Sequence, residues 1–189
     1  ETLKLLRSTI PSTIEIKHRL DPDCGAVLAD PTHIHQIMMN LCTNAYHAME
    51  QEGGVLSVSL SRVRIDKVDA LNQLELSPGD YLRLNVADTG HGIRPEILSR
   101  IFEPYFTTKE QGKGTGMGLS VVHGIVKRYG GTVHVFSEEG QGSTFTVYLP
   151  EALSEDTAGE SDGARTYPTG TERILLVDDE PYIVEMLAE

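Results

Sequence analysis

Apolar and polar residues alternate along positions 13–20, where Ile14, Ile16 and His18 stand against Glu15, Lys17 and Arg19. A period of two marks a strand with one buried face. At Asp30-Pro31 the period changes. Asp is a good helix cap, Pro is preorganised for the first helical position, and Ile37, Met38, Leu41, Cys42, Ala45, Ala48 and Met49 follow at helical spacing. The pattern predicts a helix to about Gln51, stopped by Gly53-Gly54. Alternation returns over 55–65, with Val55, Ser57, Ser59 and Ser61 opposed to Leu56, Val58 and Leu60. A polar loop over 66–79 and another alternating strand over 81–87 come next. Helical signals recur over 95–101 and 118–129, the second closed by Gly130-Gly131. Two strands, 132–137 and 143–149, flank the turn at 138–142. Strands outnumber the possible crossovers, so the expected fold is α+β: a two-layer α/β sandwich with a mixed sheet and helices on one face.

The two ends of the chain read differently from this body. Residues 1–9 look like the last turns of a helix halted by Pro11. Residues 151–172 are rich in Gly, Ser, Thr, Asp and Glu, the composition of a flexible linker. Beyond them Ile174, Leu175, Leu176 and Val177 form an apolar strand of the buried type, which runs into Asp178-Asp179-Glu180-Pro181. The expected organisation is a helix end (1–9), one domain (10–150), a linker (151–172) and the truncated start of another domain (173–189), all cut from a longer protein.

Charge supports the division. The formal net charge of -12 is spread as -3 over residues 1–150 and -9 over residues 151–189. A near-neutral body offers no basic face to nucleic acid. No apolar run approaches the roughly 20 residues that span a bilayer, so no membrane contact is expected from this chain. Cys24 and Cys42 match no metal spacing and read as reduced thiols of a cytosolic protein.

Three clusters and a glycine run carry candidate chemistry. Gln36, Asn40, Asn44 and His47 share one face of the first long helix. Buried amides without partners cost about 1–3 kcal/mol each, so that stripe meets either neighbouring backbone or a ligand. An amide oxygen also suits Mg²⁺, which keeps waters and substrate phosphates at its other positions. Asp88-Thr89-Gly90-His91-Gly92-Ile93 follows a strand directly. Its carboxylate can accept from an exocyclic amine while the glycines admit a flat ring, although the same string can be a plain turn. Phe102-Glu103-Pro104-Tyr105-Phe106-Thr107-Thr108-Lys109 is aromatic where a loop should be polar, as the anchor of a closing lid would be. It leads into Gly112-Lys113-Gly114-Thr115-Gly116-Met117-Gly118-Leu119, whose unobstructed amides precede a helix start. That arrangement holds polyphosphate or serves a merely flexible loop. Lys109 and Lys113 would lie near such phosphates or be ordinary solvated lysines.

Taken in order, Asn40 to Asn44, Asp88 to Gly92, Phe102 to Phe106 and Gly114-x-Gly-x-Gly118-Leu119 resemble the N, first glycine, F and second glycine boxes of sensor histidine kinases. These kinases belong to the GHKL ATP-binding superfamily, and the resemblance covers residues 10–150. It implies ATP and Mg²⁺ as cofactors, with Asn44 on the metal and Asn40 positioning metal and phosphates. It implies Asp88 on the adenine amino group, Gly90, Gly92 and Ile93 lining the base pocket, and Thr144 assisting from the last strand. Gly114, Thr115, Gly116, Met117, Gly118 and Leu119 would form the phosphate-facing lid, with Phe106, Lys113 and His47 completing the nucleotide contacts. Asn40, Asn44 and Lys109 would be the catalytic set.

Two departures qualify the resemblance. His47 stands where many relatives place a lysine, and a neutral imidazole compensates phosphate charge less than a fixed cation does. The family's acceptor histidine lies in a preceding dimerisation domain, and none of the seven histidines here has its setting. The expected activity is therefore transfer of the ATP γ-phosphoryl to a histidine on an upstream domain, in a cytoplasmic part of a homodimeric parent. The tail resembles the first strand of a receiver domain, with Asp178 and Asp179 at the Mg²⁺-binding position, which implies a hybrid kinase in a phosphorelay. Gyrase- and chaperone-type ATPases carry a glutamate base one turn before the metal-binding Asn. Here that position is Asn40, an amide that cannot take a proton from water. A nucleotide-binding signalling module without transfer is the second reading. A dinucleotide site fits less well, because 107–111 is polar where its fingerprint wants a strand.

Overall fold

The computed structural model describes residues 6–7, 10–66, 76–109 and 114–152. Expectations that fall elsewhere, including Lys113, the linker and the strand before Asp178, lie outside the described residues. Five strands, β1 (Ile14–Leu20), β2 (Gly54–Ile65), β3 (Gly79–Asp88), β4 (Thr132–Glu138) and β5 (Gly142–Pro150), form one sheet in the order β1-β2-β3-β5-β4. Only β1 and β2 run parallel. The remaining neighbours are antiparallel, so the sheet is mixed. Helices α1 (Pro31–Ala48), α2 (Pro95–Leu98) and α3 (Gly118–Arg128) complete the described elements.

The parallel pair exists because α1 is a crossover between β1 and β2, which a tight turn could not provide. Its start follows from sequence: Asp30 accepts from the Thr32 amide at 2.8 Å and Pro31 opens the helix. Ile37, Met38, Leu41, Cys42 and Ala45 line its buried face, as Val122, Ile125 and Val126 do for α3. Both stripes pack on Leu56, Val58, Val86, Phe145 and Val147 of the sheet's inner face. Each such side chain contributes about 1.5–3 kcal/mol by leaving water. This is the two-layer α+β sandwich expected from the pattern.

The outer face is polar near its middle, where Thr146 donates to Asn85 at 2.8 Å. Toward one end it carries a small apolar cluster of Ile65, Leu76 and Tyr81, backed by Val63 and Tyr148.

Three boundaries depart from expectation. The first long helix ends at Ala48, not near Gln51, because the Ala48 carbonyl accepts from His91 N at 3.1 Å. The loop after β3 thus seals the helix end. In β1 only Ile14 is buried and Ile16 half-buried, while His18 is exposed, since the strand leaves the helical layer along the sheet edge. The helix expected over 95–101 is the single turn Pro95–Leu98.

Candidate nucleotide-binding site

Strand register builds one end of the site. Leu56 pairs with Asp88, Asp88 with Ser143, and Ser143 with Ser137, a row across four strands on the inner face. Asp88 is buried, and its Oδ1 accepts from the Gly90 amide at 2.9 Å. Burial pushes its carboxyl above the ordinary range, against the pull of amides donated by Gly90 and Ser143. A carboxylate held partly desolvated at a strand end is a strong acceptor for an amine.

The loop after Asp88 is clamped on both sides. Thr89 Oγ1 accepts from Val55 N at 3.0 Å, tying it to the start of β2. His91 N donates to Ala48 at the end of α1, and His91 O accepts from Gly140 N at 2.8 Å. Gly92 has φ 70°, and a Cβ there would lie 2.0 Å from Glu138 O. Gly92→Ala is therefore expected to destabilise the fold by more than the ~1–2 kcal/mol of a left-handed non-glycine residue. Urea unfolding of the two chains measures the difference. An alanine variant as stable as the parent would mean the hairpin does not press on this loop.

The amide face of α1 forms the other end. Asn40 is half-buried, and its Nδ2 donates to Gln36 O at 2.9 Å. Its Oδ1 is thereby turned toward α3, 3.0 Å from where a Cβ on Gly118 would sit. Asn44 is half-buried one turn further along. No side chain caps the start of α3, so its first amides and dipole face this region. Gly116 takes φ 66°, and a Cβ on it would meet Tyr105 at 2.4 Å. Gly114 lies against Thr107 and Lys109, so the glycine run folds back on the aromatic loop. Met117 is exposed, Thr115 Oγ1 accepts from its amide at 3.4 Å, and Leu119 packs against the core.

Electrostatics join the aromatic loop to α1. His47 Nδ1 lies 3.8 Å from Glu50. Burial lowers the His47 pKa and the charge of Lys109 lowers it further, so the ring is neutral at neutral pH. Burial also lowers the Lys109 pKa, and Glu50 opposes that shift. His47, Glu50 and Lys109 thus feel one another at the helix end. Phe106 packs on the core with the Arg100 guanidinium 4.5 Å from its ring centroid. A cavity of about 360 Å³ opens beside the loop, lined by His47, Ala48, Thr89, Gly90, His91 and Gly140 among others.

Strand register separates Thr144 from this row. Thr144 pairs with Ala87 on the outer face, away from Asp88. Ser143 is the residue beside that carboxylate. Alternation held the signal, since Phe145, Val147 and Leu149 point inward and Ser143 keeps their parity. Sequence reading also missed Ser137 and Glu50. Among the described residues no cluster of three or more His, Cys, Asp or Glu is placed to hold a metal. Cys42 is buried with its thiol pushed up to about 12, which leaves it inert.

Residues 29–153 match the family described as histidine kinase-, DNA gyrase B- and HSP90-like ATPase. Sensor kinase CckA of Brucella abortus is 39% identical over 93% of this chain and 19% of its own length. Sensor histidine kinase ZraS of Escherichia coli K12 is 40% identical over 72% of this chain and 26% of its own. The chain therefore spans between a fifth and about a quarter of these relatives. Among solved structures, mycobacterial sensor histidine kinase MprB superposes with TM-score 0.61 at 26% identity, covering 79% of this chain and 89% of that one. Full-length ShkA in complex with AMPPNP does so with TM-score 0.60 at 30% identity, covering 81% and 30%. No helix among the described residues is long and apolar enough to cross a membrane. Fold, box order and relatives agree that the chain belongs to the histidine kinase-, DNA gyrase B- and HSP90-like ATPase family, in the form that two-component sensor kinases carry as their ATP-binding domain.

Proposed function

We propose that this domain binds Mg-ATP and transfers the γ-phosphoryl group to a histidine on an upstream helical domain. The observation that carries the reading is the convergence at α1. Its amide face meets the uncapped start of α3 at Asn40, and its end meets the Asp88 loop and Lys109. A nucleotide would span these parts, its base at Asp88 and its phosphates toward Gly118 and Lys109. The ShkA relative was solved with an ATP analogue, which favours ATP as the ligand.

The residues present fit a magnesium ion that arrives with its nucleotide. Asn44 would supply one neutral oxygen, with Asn40 one turn away on the same helix, and the nucleotide's phosphates and water would supply the rest. When bound, the ion neutralises charge that develops on the β- and γ-phosphates. Asp88 fixes the base. Lys109 and the α3 amides compensate phosphate charge and orient the γ-phosphoryl group, and positioning of this kind is most of what phosphoryl transfer needs. In the transfer the γ-phosphorus bond to the bridging oxygen breaks as a bond to the acceptor's imidazole nitrogen forms. ADP departs and the ring loses its proton to solvent. His47, held neutral, contributes at most a hydrogen bond to phosphate. Asn40 offers no base to activate water, so hydrolysis is slow.

On this reading the parent is a homodimeric hybrid kinase, with a receiver that begins near Arg173 and uses Asp178 and Asp179. Mixing the chain with a purified cognate dimerisation domain and γ-labelled ATP tests the transfer. Acid-labile, base-stable label on that domain is expected, formed faster than free phosphate appears. Bound ATP with no phosphohistidine would instead make this a nucleotide-responsive signalling module.

A further inference from the structure

The Ser137 hydroxyl sits where three segments meet. It accepts from the Ile93 amide at 2.8 Å, donates to Gly142 O at 2.9 Å, and lies 3.0 Å from Ser143 Oγ. A hydroxyl has one proton and two lone pairs. With its proton on Gly142 O, the Ser143 hydroxyl must donate to Ser137, which fills the donor and both acceptor positions. This saturated knot ties the Ile93 end of the base loop to both strands of the β4–β5 hairpin. Ser143 in turn sits beside Asp88, so the knot and the carboxylate share one row of the sheet.

We propose that Ser137 is a positioning residue for base recognition: through Ile93 N and Ser143 it sets where the 90–93 loop lies relative to Asp88. The inference rests on the nucleotide reading above, but makes a separate claim about selectivity. A base is recognised by a carboxylate only if the ring is held at the right place over the loop. Gly92 and the His91–Gly140 bond fix the loop's middle. At its end, Ser137 takes the Ile93 amide, beside the His91 ring on Gly92 O and the packing of Ile93 on the core. Removing the hydroxyl leaves the Ile93 amide and the Ser143 hydroxyl seeking partners, while the phosphate end, on other elements, keeps its geometry.

Calorimetric titration of the whole chain with ATP, GTP and inorganic tripolyphosphate separates the two claims. If the unaltered chain binds no ATP, the nucleotide reading itself fails; if it binds ATP and GTP alike, the nucleotide reading stands and the selectivity proposal is overturned. If it prefers ATP, Ser137→Ala is expected to weaken ATP roughly tenfold, as loss of a bond that leaves a half-buried amide unpaired does. GTP and tripolyphosphate should be held as before, and Ser137→Thr should restore the preference. Equal weakening of all three ligands would assign the serine to general stability and overturn the proposal, as would an unchanged ATP-to-GTP ratio. Amide exchange in the unaltered chain needs no variant. Ile93 N–H is expected to exchange as slowly as the β4–β5 ladder, and exchange at the rate of exposed loop amides would equally overturn it.

Discussion

Asn44→Ala is expected to abolish the contribution of magnesium to ATP binding. In the unaltered chain, chelating the metal should weaken ATP strongly. In the variant, ATP should bind equally weakly with or without it. The reason is the poverty of the site in charge. No acidic cluster is found among the described residues, so on the proposed function the neutral amide of Asn44 would add its oxygen to those brought by the nucleotide. Losing that oxygen should cost at least the roughly 10- to 100-fold in affinity that even outer partners of metal ligands are worth. Folding should survive, because Asn44 is half-buried and alanine is the better helix former. Titration calorimetry with ATP, with magnesium and with a chelator, reads the effect directly. A full magnesium-dependent gain in the variant would remove Asn44 from the metal. The Asn40 amide, turned toward Gly118, would then be the better candidate.

The architecture is legible in the sequence because most elements carry their own period and a local start or stop. The Asp30-Pro31 start and the Gly130-Gly131 finish of the two long helices are local chemistry, settled within a few residues. What the sequence could not show was registry between strands far apart in the chain. Alternation gives Ser143 the inward parity of Phe145, but only the strand pairing makes it the neighbour of Asp88. The end of α1 was misjudged for a similar reason. Residues 49–51 carry no helix breaker, and the helix stops because His91, 43 positions beyond Ala48 in the chain, takes its terminal carbonyl. Burial lowers the His47 pKa, and Lys109, brought in by a loop whose path no periodicity encodes, lowers it further.

Asp88→Asn should weaken ATP by roughly 10- to 150-fold, the range for losing a charged hydrogen-bond acceptor inside a protein. Its effect on pH dependence is more diagnostic than its size. Burial raises the Asp88 pKa, so its carboxylate protonates at a pH where exposed carboxylates are still ionised. Protonation exchanges a charged acceptor for a weaker one. ATP affinity in the unaltered chain should therefore fall on acidification through that raised pKa, and the asparagine variant should show no such step. Stability of the nucleotide-free fold moves the opposite way. Between the ordinary carboxylate range and the raised value, the folded protein holds a proton that the unfolded chain has lost. The Asp88 contribution to stability is thus full at and below the ordinary range and is lost as pH rises through the raised pKa. On the proposed function, the ionised form is the one that would recognise an amine. Affinity by calorimetry and unfolding by urea, each followed over pH in both chains, should show two steps of opposite sign at one pH in the unaltered protein and neither in the variant. Steps that persist after the substitution would belong to another group and would take base recognition away from Asp88.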